Sequence, residues 1–240
     1  MTHRLVAIAA LLCAAACTRT ISGAEAGEDR FNSFDGISPS TINRYSCATC
    51  HQVGTTPDPS RLDAGYNLRG AARRTSWWGG QAIRLSDAVD QCLVYFMRGD
   101  PLDRDSEAAR ELYEYLESIS PPGSDPTPRP FTVVENIAAI PSGDMARGET
   151  VYRASCQSCH GALHTGDGQI LKKKIILPEF TDSYDQIFPN IPKGLVVIEK
   201  IRHGRFFGTG GTMALFSPEA MTDAQIGDVL AYLGLTSEPM

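Results

Sequence analysis

Two copies of the pattern Cys-x-x-Cys-His constrain this 240-residue chain more than any other feature. The first copy spans Cys47–His51 and the second spans Cys156–His160. Two cysteines separated by two residues, with histidine directly after the second, form the attachment motif for a c-type haem. Both thiols add to the vinyl groups of one haem, and the histidine is held below the iron as proximal ligand. The sequence therefore predicts two covalently bound haem c groups, attached through Cys47, Cys50, Cys156 and Cys159, with His51 and His160 as proximal ligands.

Two other uses of paired cysteines fit less well. Zinc ribbons place their cysteine pairs roughly 15–20 residues apart. In this chain Cys156 lies 106 positions after Cys50, which is too far for a zinc ribbon. A thioredoxin-like redox pair does not require histidine after the second cysteine, yet both copies have it. Haem attachment is therefore the interpretation that uses every residue of both motifs.

The overall charge limits the classes of partner. The chain has 28 acidic and 22 basic side chains, which gives a formal net charge of −6. A protein that binds nucleic acid normally presents a basic surface. The sequence therefore predicts no nucleic-acid partner, and the haem motifs instead predict soluble or membrane-bound redox proteins as partners.

The first residues are typical of an export signal. The apolar run Leu5–Ala16 has the length of a signal-peptide core and is too short to span a bilayer. Ala14–Cys17 is similar to a bacterial lipobox, in which the cysteine is lipidated, and Ala24–Ala26 offers ordinary signal cleavage instead. We expect residues 1–26 to be a leader and the protein to be exported to the periplasm or cell envelope. Its only membrane attachment would be a lipid on Cys17.

Helical patterns follow both motifs and divide the chain. The proline-rich segment Pro121–Pro130 predicts a linker between a first half, residues 28–120, and a second half, residues 131–240. Each half is predicted to contain an amphipathic helix near its end, one capped at Ser106 and the other at Thr222, where Thr222–Gln225 forms a capping box. A third helix is predicted to lead into Cys156. The predicted apolar positions of the three helices are Ala109, Leu112, Tyr115 and Leu116; Ile226, Val229, Leu230 and Leu233; and Met145, Val151 and Tyr152.

Each half resembles a class I cytochrome c domain, in which a helix leads into Cys-x-x-Cys-His and a loop with the distal ligand precedes a final helix. The resemblance implies an all-α fold of two tandem domains, each wrapped around one covalently attached haem. In the second half, the segment Gly208–Phe216 resembles the methionine loop of that family, which implies Met213 as sixth ligand. Pro178 is similar to the family proline whose carbonyl orients the proximal histidine. Met221, His203 and His164 are the competing ligands.

The sixth ligand of the first haem has two candidates. Met97 lies nine residues before Ser106, as Met213 lies nine residues before Thr222. Cys92 is the competitor, since an unpaired cysteine in an oxidising compartment is either buried or bound. The segment from Asp90 to Ser106 resembles the ligand segment of the dihaem thiosulfate dehydrogenases and of the SoxA-type subunits. In both, a cysteine at the position of Cys92 is a ligand of the N-terminal haem.

Two functions follow from this resemblance. The first is electron transfer by a dihaem cytochrome c. The alternative is oxidation of thiosulfate, or of a related sulfur anion, at a His51/Cys92 haem, with Cys92 as the catalytic residue. The thiosulfate dehydrogenases have arginines where this chain has Ala88 and Tyr95. Five other arginines could form an anion pocket or a solvated basic surface, namely Arg69, Arg73, Arg74, Arg84 and Arg98. A dihaem peroxidase fits less well, because it requires an open iron position.

Overall fold

The computed structural model describes residues 21–37, 44–171, 173–204 and 213–236. Within these ranges the regular structure is helical, and the strand-like pairing between named residues is one isolated bridge from Trp77 to Ala82. The predicted all-α fold is therefore confirmed. None of the helices found in these ranges is long and apolar enough to cross a membrane. The helices are α1 (Gly23–Asn32), α2 (Cys47–Cys50), α3 (Leu85–Cys92), α4 (Glu107–Ser118), α5 (Met145–Ser155), α6 (Gln157–His160), α7 (Ser183–Ile187), α8 (Lys193–His203) and α9 (Asp223–Tyr232).

In the first half, α1 packs across α4. The crossing is close because Gly27 has no side chain: a Cβ atom there would lie 2.0 Å from the carbonyl oxygen of Glu111. Phe31, one turn later, is 1% exposed and stacks obliquely on Tyr115 with ring centroids 5.4 Å apart. Helix α1 begins at Gly23, so its first turn overlaps the range 1–26 that the sequence predicts as leader.

The second half repeats this crossing with α5 and α9. A Cβ atom at Gly148 would lie 1.9 Å from the carbonyl oxygen of Asp228. The Asp228 side chain accepts hydrogen bonds from Arg147 Nε and Nη2, at 2.9 and 2.8 Å, and from the Asp144 amide at 2.7 Å. The two halves therefore use the same glycine contact at the same place, and an ion pair joins the helices at each crossing: Arg30 with Glu111 in the first half and Arg147 with Asp228 in the second.

The predicted helix caps and faces agree with the structure, with one exception. The Ser106 and Thr222 side chains accept hydrogen bonds from the amides of Ala109 and Gln225, and the predicted apolar positions of α4 and α9 are all buried. The prediction for Met145 is wrong, because its side chain is 64% exposed. Met145 is the first residue of α5, and its side chain stays on the solvent side of the crossing.

The linker lies along the first half. The Tyr66 hydroxyl donates to the carbonyl of Pro130 at 2.8 Å, and the Thr75 amide donates to the carbonyl of Pro126 at 3.1 Å. Phe131, directly after the linker, packs edge-on against Trp78 with ring centroids 5.1 Å apart. These contacts bring the end of the linker to a cavity of the first half.

Candidate haem-binding sites

Each Cys-x-x-Cys-His segment folds into a single helical turn. The amide of His51 donates to the carbonyl of Cys47 at 3.0 Å, and the amide of His160 donates to that of Cys156 at 2.9 Å. One helical turn puts residues i and i+3 on the same side. The five cysteines that the structure describes are all free thiols: Cys47, Cys50, Cys92, Cys156 and Cys159.

The first motif opens onto a cavity of about 460 Å³. This volume lies within the roughly 300–1,000 Å³ that is usual for cofactor pockets. The candidate ligand and attachment residues of the first half all line it, namely Cys47, Cys50, His51, Cys92 and Met97. Most of the remaining wall is apolar or aromatic, with Phe31, Leu93, Phe96, Trp77 and Trp78 among its members.

The His51 ring is held by its surroundings. Its Nδ1 atom is 2.8 Å from the carbonyl oxygen of Tyr66, so this nitrogen carries the proton and Nε2 is free to bind a metal. A Cβ atom at Gly65 would lie 2.1 Å from the Cε1 atom of this ring. Burial lowers the pKa of His51, which keeps the imidazole neutral, as a ligand must be.

Cys92 and Met97 have different environments, although both line the first cavity. Cys92 ends α3, and burial raises the pKa of its thiol to about 11. Burial, and after it the charge of a Cys92 thiolate, raise the pKa values of the Cys47 and Cys50 thiols, which line the same cavity. Met97 is 6% exposed and belongs to the core formed with Leu93 and Leu112. Met97 therefore has a packing role that Cys92 lacks.

The second motif opens onto another cavity of about 460 Å³, lined by Cys156, Cys159, His160 and Met213. Burial lowers the pKa of His160 to about 4, so its ring is neutral. The Nδ1 atom of His160 is buried and has no hydrogen-bond partner among the described residues. The expectation for Pro178 is not met, because its carbonyl accepts hydrogen bonds from the amide and hydroxyl of Thr181 instead, at 2.8 and 2.7 Å.

The segment that follows Met213 is joined to α8 by hydrogen bonds. The buried Arg202 side chain donates to the carbonyls of Phe216 and Met221 at 2.9 and 2.8 Å, and the Phe216 amide donates to the carbonyl of Ile201 at 2.7 Å. Met221 is 1% exposed, belongs to the core cluster of Ile226 and lines neither cavity. Residues 208–212 of the predicted methionine loop Gly208–Phe216 lie outside the described part of the chain.

The competing histidines point to other partners. The ring nitrogens of His203 lie 2.7 Å from a Glu199 carboxylate oxygen and 2.6 Å from the Val134 carbonyl oxygen. His164 is on the surface, where its Nδ1 atom is 2.5 Å from Glu179. Neither histidine lines either of the two cavities, so the second site has His160 as its candidate proximal ligand and Met213 as its candidate sixth ligand.

The two cavities share a wall. Five residues line both of them: Cys50, Leu62, Asp63, Ala64 and Ala214. Cys159 also packs against the core of the first half. The two cavities therefore adjoin each other at these five residues.

The arginines near the first cavity differ in their roles. Arg73 pairs with Glu117 and Arg84 pairs with Asp87, at 2.6 and 2.8 Å, and neither lines the cavity. Arg74 is 8% exposed and lines the cavity, as does Arg129 from the linker. The prediction of a solvated basic surface therefore holds for Arg73 and Arg84 but not for Arg74. Arg69 and Arg98 do not line the cavity.

The residues fit a covalently attached haem at both positions. Each cavity presents two free thiols on one helical turn and a neutral histidine directly after them. Each also contains a candidate sixth ligand with a sulfur atom, Cys92 or Met97 in the first cavity and Met213 in the second. The buried Nδ1 atom of His160 has no hydrogen-bond partner among the described residues, so no hydrogen bond at this atom holds the ring in another position. A bound haem would supply one-electron Fe(III)/Fe(II) chemistry at these places.

Several residues of the site were not predicted from the sequence. Gly65 and Arg202 carry no recognisable local signal, because their roles come from neighbours that are distant in sequence or packed by the fold. Gly27 and Phe31 could have been found, since Gly-Glu-x-x-Phe in α1 matches Gly-Glu-x-x-Tyr at Gly148–Tyr152 in α5. That repeat marks the N-terminal helix of each half.

Comparison with known proteins bears on the second half most directly. Residues 143–233 match the family described as cytochrome c oxidase, cbb3-type, subunit III. The chain is 27% identical over 133 residues to thiosulfate dehydrogenase of Stutzerimonas stutzeri (strain A1501), an alignment that covers 53% of this chain and 40% of that protein. The solved structure of thiosulfate dehydrogenase (TsdBA) from Marichromatium purpuratum gives a TM-score of 0.42 at 15% identity, over 88% of this chain and 45% of that one.

The chain thus spans less than half the length of either thiosulfate dehydrogenase. The family match covers the motif Cys156–His160, the α5–α9 crossing and Met213. Together with the helical fold, it supports a c-type cytochrome, a protein that carries covalently bound haem c and transfers electrons.

Proposed function

We propose that the protein is a dihaem electron carrier in which electrons pass directly between two haems. One haem is attached at Cys47 and Cys50 and the other at Cys156 and Cys159. The observation that carries the proposal is the wall shared by the two cavities, to which Cys50 itself belongs. Groups held in two adjoining cavities are close enough to exchange electrons without a separate carrier.

The segment Arg61–Asp63 supports this arrangement because it is bonded to both motifs. Arg61 Nη2 donates to the carbonyl of Ala48, inside the first motif, and pairs with Asp63 at 2.5 Å. Asp63 also accepts from Gln52, the residue after His51, at 2.5 Å. Between them, the amide of Leu62 donates to the carbonyl of Ala154, two residues before Cys156. This segment therefore fixes the first motif relative to the helix that leads into the second.

The axial ligands give the proposed path a direction. We assign Cys92 to the first haem opposite His51, because it lines the cavity and has no role in the core. We assign Met213 to the second haem opposite His160. A thiolate favours Fe(III) and a thioether favours Fe(II). The first haem therefore has the lower potential and delivers electrons to the second.

A redox titration followed by low-temperature EPR tests this assignment. The expected result is two low-spin Fe(III) signals, one typical of His/thiolate ligation and one of His/Met, with the His/Met signal lost first on reduction. Replacing Cys92 with methionine removes the thiolate signal and raises the lower potential. Two His/Met signals that persist in that variant would place Met97 on the first haem.

The proposal includes export to the periplasm or cell envelope, because haem c is attached outside the bacterial cytoplasm, and redox proteins as partners. Cleavage before Cys17 leaves the whole of α1 intact, whereas cleavage after Ala26 removes its first turn. A lipid on Cys17 is thus the anchor that agrees best with the α1–α4 crossing. Changing Cys17 to serine should then move the protein from the membrane fraction to the soluble periplasmic fraction.

A second candidate function is thiosulfate oxidation at the first haem. It is favoured by the position of Cys92 in the cavity and by the 27% identity to a thiosulfate dehydrogenase. In that reaction two thiosulfate anions join through a new S–S bond and release two electrons, one to each haem. Tyr95, at a position where the resembling enzymes have arginine, is 66% exposed, and Ala88 is buried. Tetrathionate formation by the wild-type protein, lost in Cys92→Met, would establish this activity.

A further inference from the structure

Residues 130–132, which we call the strap, connect the linker to the second half and contact three separate places. The first residue of the strap is bonded on the His51 side of the first cavity, and the second packs on the Cys92 side. The third is bonded to the second half of the chain. Three consecutive residues therefore join both candidate ligand positions of the first cavity to the other half of the protein.

The contact on the proximal side leads to the His51 ring. The Tyr66 hydroxyl donates to the carbonyl of Pro130 at 2.8 Å. The main-chain carbonyl of the same Tyr66 accepts a hydrogen bond from Nδ1 of His51, also at 2.8 Å. A hydrogen bond at Nδ1 raises the basicity of a metal-bound imidazole and fixes the orientation of its ring. Tyr66 thus connects the strap to the candidate proximal ligand.

The contact on the opposite side leads to α3, the helix that ends at Cys92. Phe131 packs edge-on against Trp78 with ring centroids 5.1 Å apart, and the Trp78 indole donates to the carbonyl of Ala88 at 3.2 Å. Ala88 lies one helical turn before Cys92. Trp78 has a φ of 53°, a left-handed backbone conformation that is strained for a bulky residue and persists where the surroundings hold it. Phe131 therefore helps to hold the residue that supports α3.

The contact with the second half is a pair of hydrogen bonds to one carboxylate. The amide of Thr132 donates to one Glu219 oxygen at 3.2 Å, and the Thr132 hydroxyl donates to the other. Burial raises the pKa of Glu219, but hydrogen bonds from Thr132 and Ser217 outweigh that effect and hold the pKa at about 2. Thr132 itself is exposed and lines neither cavity. The bond that fixes the strap is thus separate from both haem sites.

We propose that the strap is the element through which the second half sets the axial-ligand geometry of the first haem. Thr132, Tyr66 and Trp78 are positioning residues in this arrangement, because they act on the haem through its ligands. The inference rests on the proposed attachment of a haem at the first motif. While Thr132 is bonded to the second half, the strap keeps Tyr66 at the proximal ligand and Trp78 at α3.

Release of the strap should raise the potential of the first haem. If Tyr66 moves away from His51, the bond at Nδ1 weakens and the imidazole becomes a poorer electron donor, which stabilises Fe(III) less. Movement of α3 weakens donation from Cys92 and acts in the same direction. The second haem should keep its potential, because Tyr66, Trp78 and Glu219 line the first cavity and not the second.

The test is a redox titration of the holoprotein that resolves both haems, with EPR of the oxidised samples. Thr132→Val removes the hydroxyl donor without changing charge, and Thr132→Ser keeps that donor. Tyr66→Phe removes the bond to Pro130 and keeps the main-chain carbonyl that accepts from His51. Thr55→Val is the matched control, since Thr55 is an exposed threonine of the first half that lines neither cavity.

We expect Thr132→Val and Tyr66→Phe each to raise the first potential and to shift the g values of the first low-spin signal. Thr132→Ser and the control should give wild-type values, and the second haem should be unchanged throughout. The double variant Thr132→Val/Tyr66→Phe should shift the potential no further than the larger single change, because both substitutions release the same segment.

Four results would overturn the proposal. Shifts that add in the double variant would show that the two residues act on the haem independently. A lowered first potential would mean that the strap excludes water and does not position ligands. Unmoved potentials in a protein whose mass shows two haems would refute the strap alone and leave the dihaem function standing. A wild-type chain with haem on the second motif only would refute the dihaem function, and the strap with it.

Discussion

The amide of Leu62 donates a hydrogen bond of 2.9 Å to the carbonyl of Ala154, and this bond joins the segments that carry the two Cys-x-x-Cys-His motifs. Leu62 lines both cavities, and so does its neighbour Asp63. A short loop of the first half thus sets the distance across which electrons would pass.

Asp63 places one negative charge between the two sites, so changing it should affect both haems together. In Asp63→Asn we expect both potentials to rise, by on the order of 1 kcal/mol of one-electron free energy, or ~40–60 mV. The measurement is a redox titration that resolves both haems. Glu107→Gln is the control, because Glu107 is exposed and lines neither cavity. A rise confined to one haem would show that Asp63 does not lie between them.

Gly65 leaves room for the His51 ring. A Cβ atom at this position would lie 2.1 Å from Cε1, so Gly65→Ala must displace the imidazole. We expect the low-spin EPR signal of the first haem to broaden or convert to high spin, with the signal of the second unchanged. Gly54→Ala is the matched control, since the nearest atom to its added Cβ is 3.2 Å away. Unaltered spectra in Gly65→Ala would remove His51 from the first haem.

Met97 and Cys92 can be separated by paired substitutions. Met97→Leu keeps a buried side chain of similar volume, so we expect a stability loss below about 1.5 kcal/mol and an unchanged first-haem spectrum. Cys92→Met should instead replace the thiolate signal. The opposite pattern, with the spectrum sensitive to Met97 alone, would reverse the ligand assignment. Denaturant unfolding and EPR of the same preparations supply both readouts.

The ion pair at the α5–α9 crossing should make stability depend on pH. Hydrogen bonds from Arg147 lower the pKa of Asp228, which is 5% exposed. A carboxylate whose pKa is lowered by folding stabilises the native state above its unfolded pKa, about 3.9, and this contribution disappears as the pH falls through the folded value. We expect Asp228→Asn to lose about 1–2 kcal/mol at pH 7 and progressively less below pH 4.

Denaturant unfolding at pH 7 and pH 3 measures that difference. Asp29→Asn, at an exposed position of α1, serves as the control and should change stability little at either pH. A difference between Asp228→Asn and the wild type that is the same at both pH values would mean that the loss comes from packing and not from charge.

The sequence predicts the motifs and the amphipathic helices well because both depend on local spacing. The buried faces of α4 and α9 follow from their helical periodicity and their caps. The prediction that Met145 lies on the buried face of α5 is wrong because helical periodicity does not indicate where a helix crosses its partner. The expectation that the Pro178 carbonyl orients His160 is not met because this carbonyl accepts a hydrogen bond from Thr181. The family pattern does not specify the turn that makes this contact.

Features that depend on how the halves meet could not be predicted. The shared wall brings Cys50 to the second cavity, and Ala214 to the first, through packing between residues far apart in sequence. The same is true of Arg129, which reads as part of a linker in the sequence and lines a cavity in the fold. No local pattern encodes such contacts.

The most direct test of the account is the intact mass of the denatured holoprotein, produced in a host that attaches haem c, compared with that of the Cys47→Ala/Cys50→Ala and Cys156→Ala/Cys159→Ala variants. The account predicts that the wild-type chain retains the mass of two haems and each variant retains one, attached at the remaining motif. A wild-type chain with the mass of one haem, unchanged in the Cys47→Ala/Cys50→Ala variant apart from the substitutions, would contradict it.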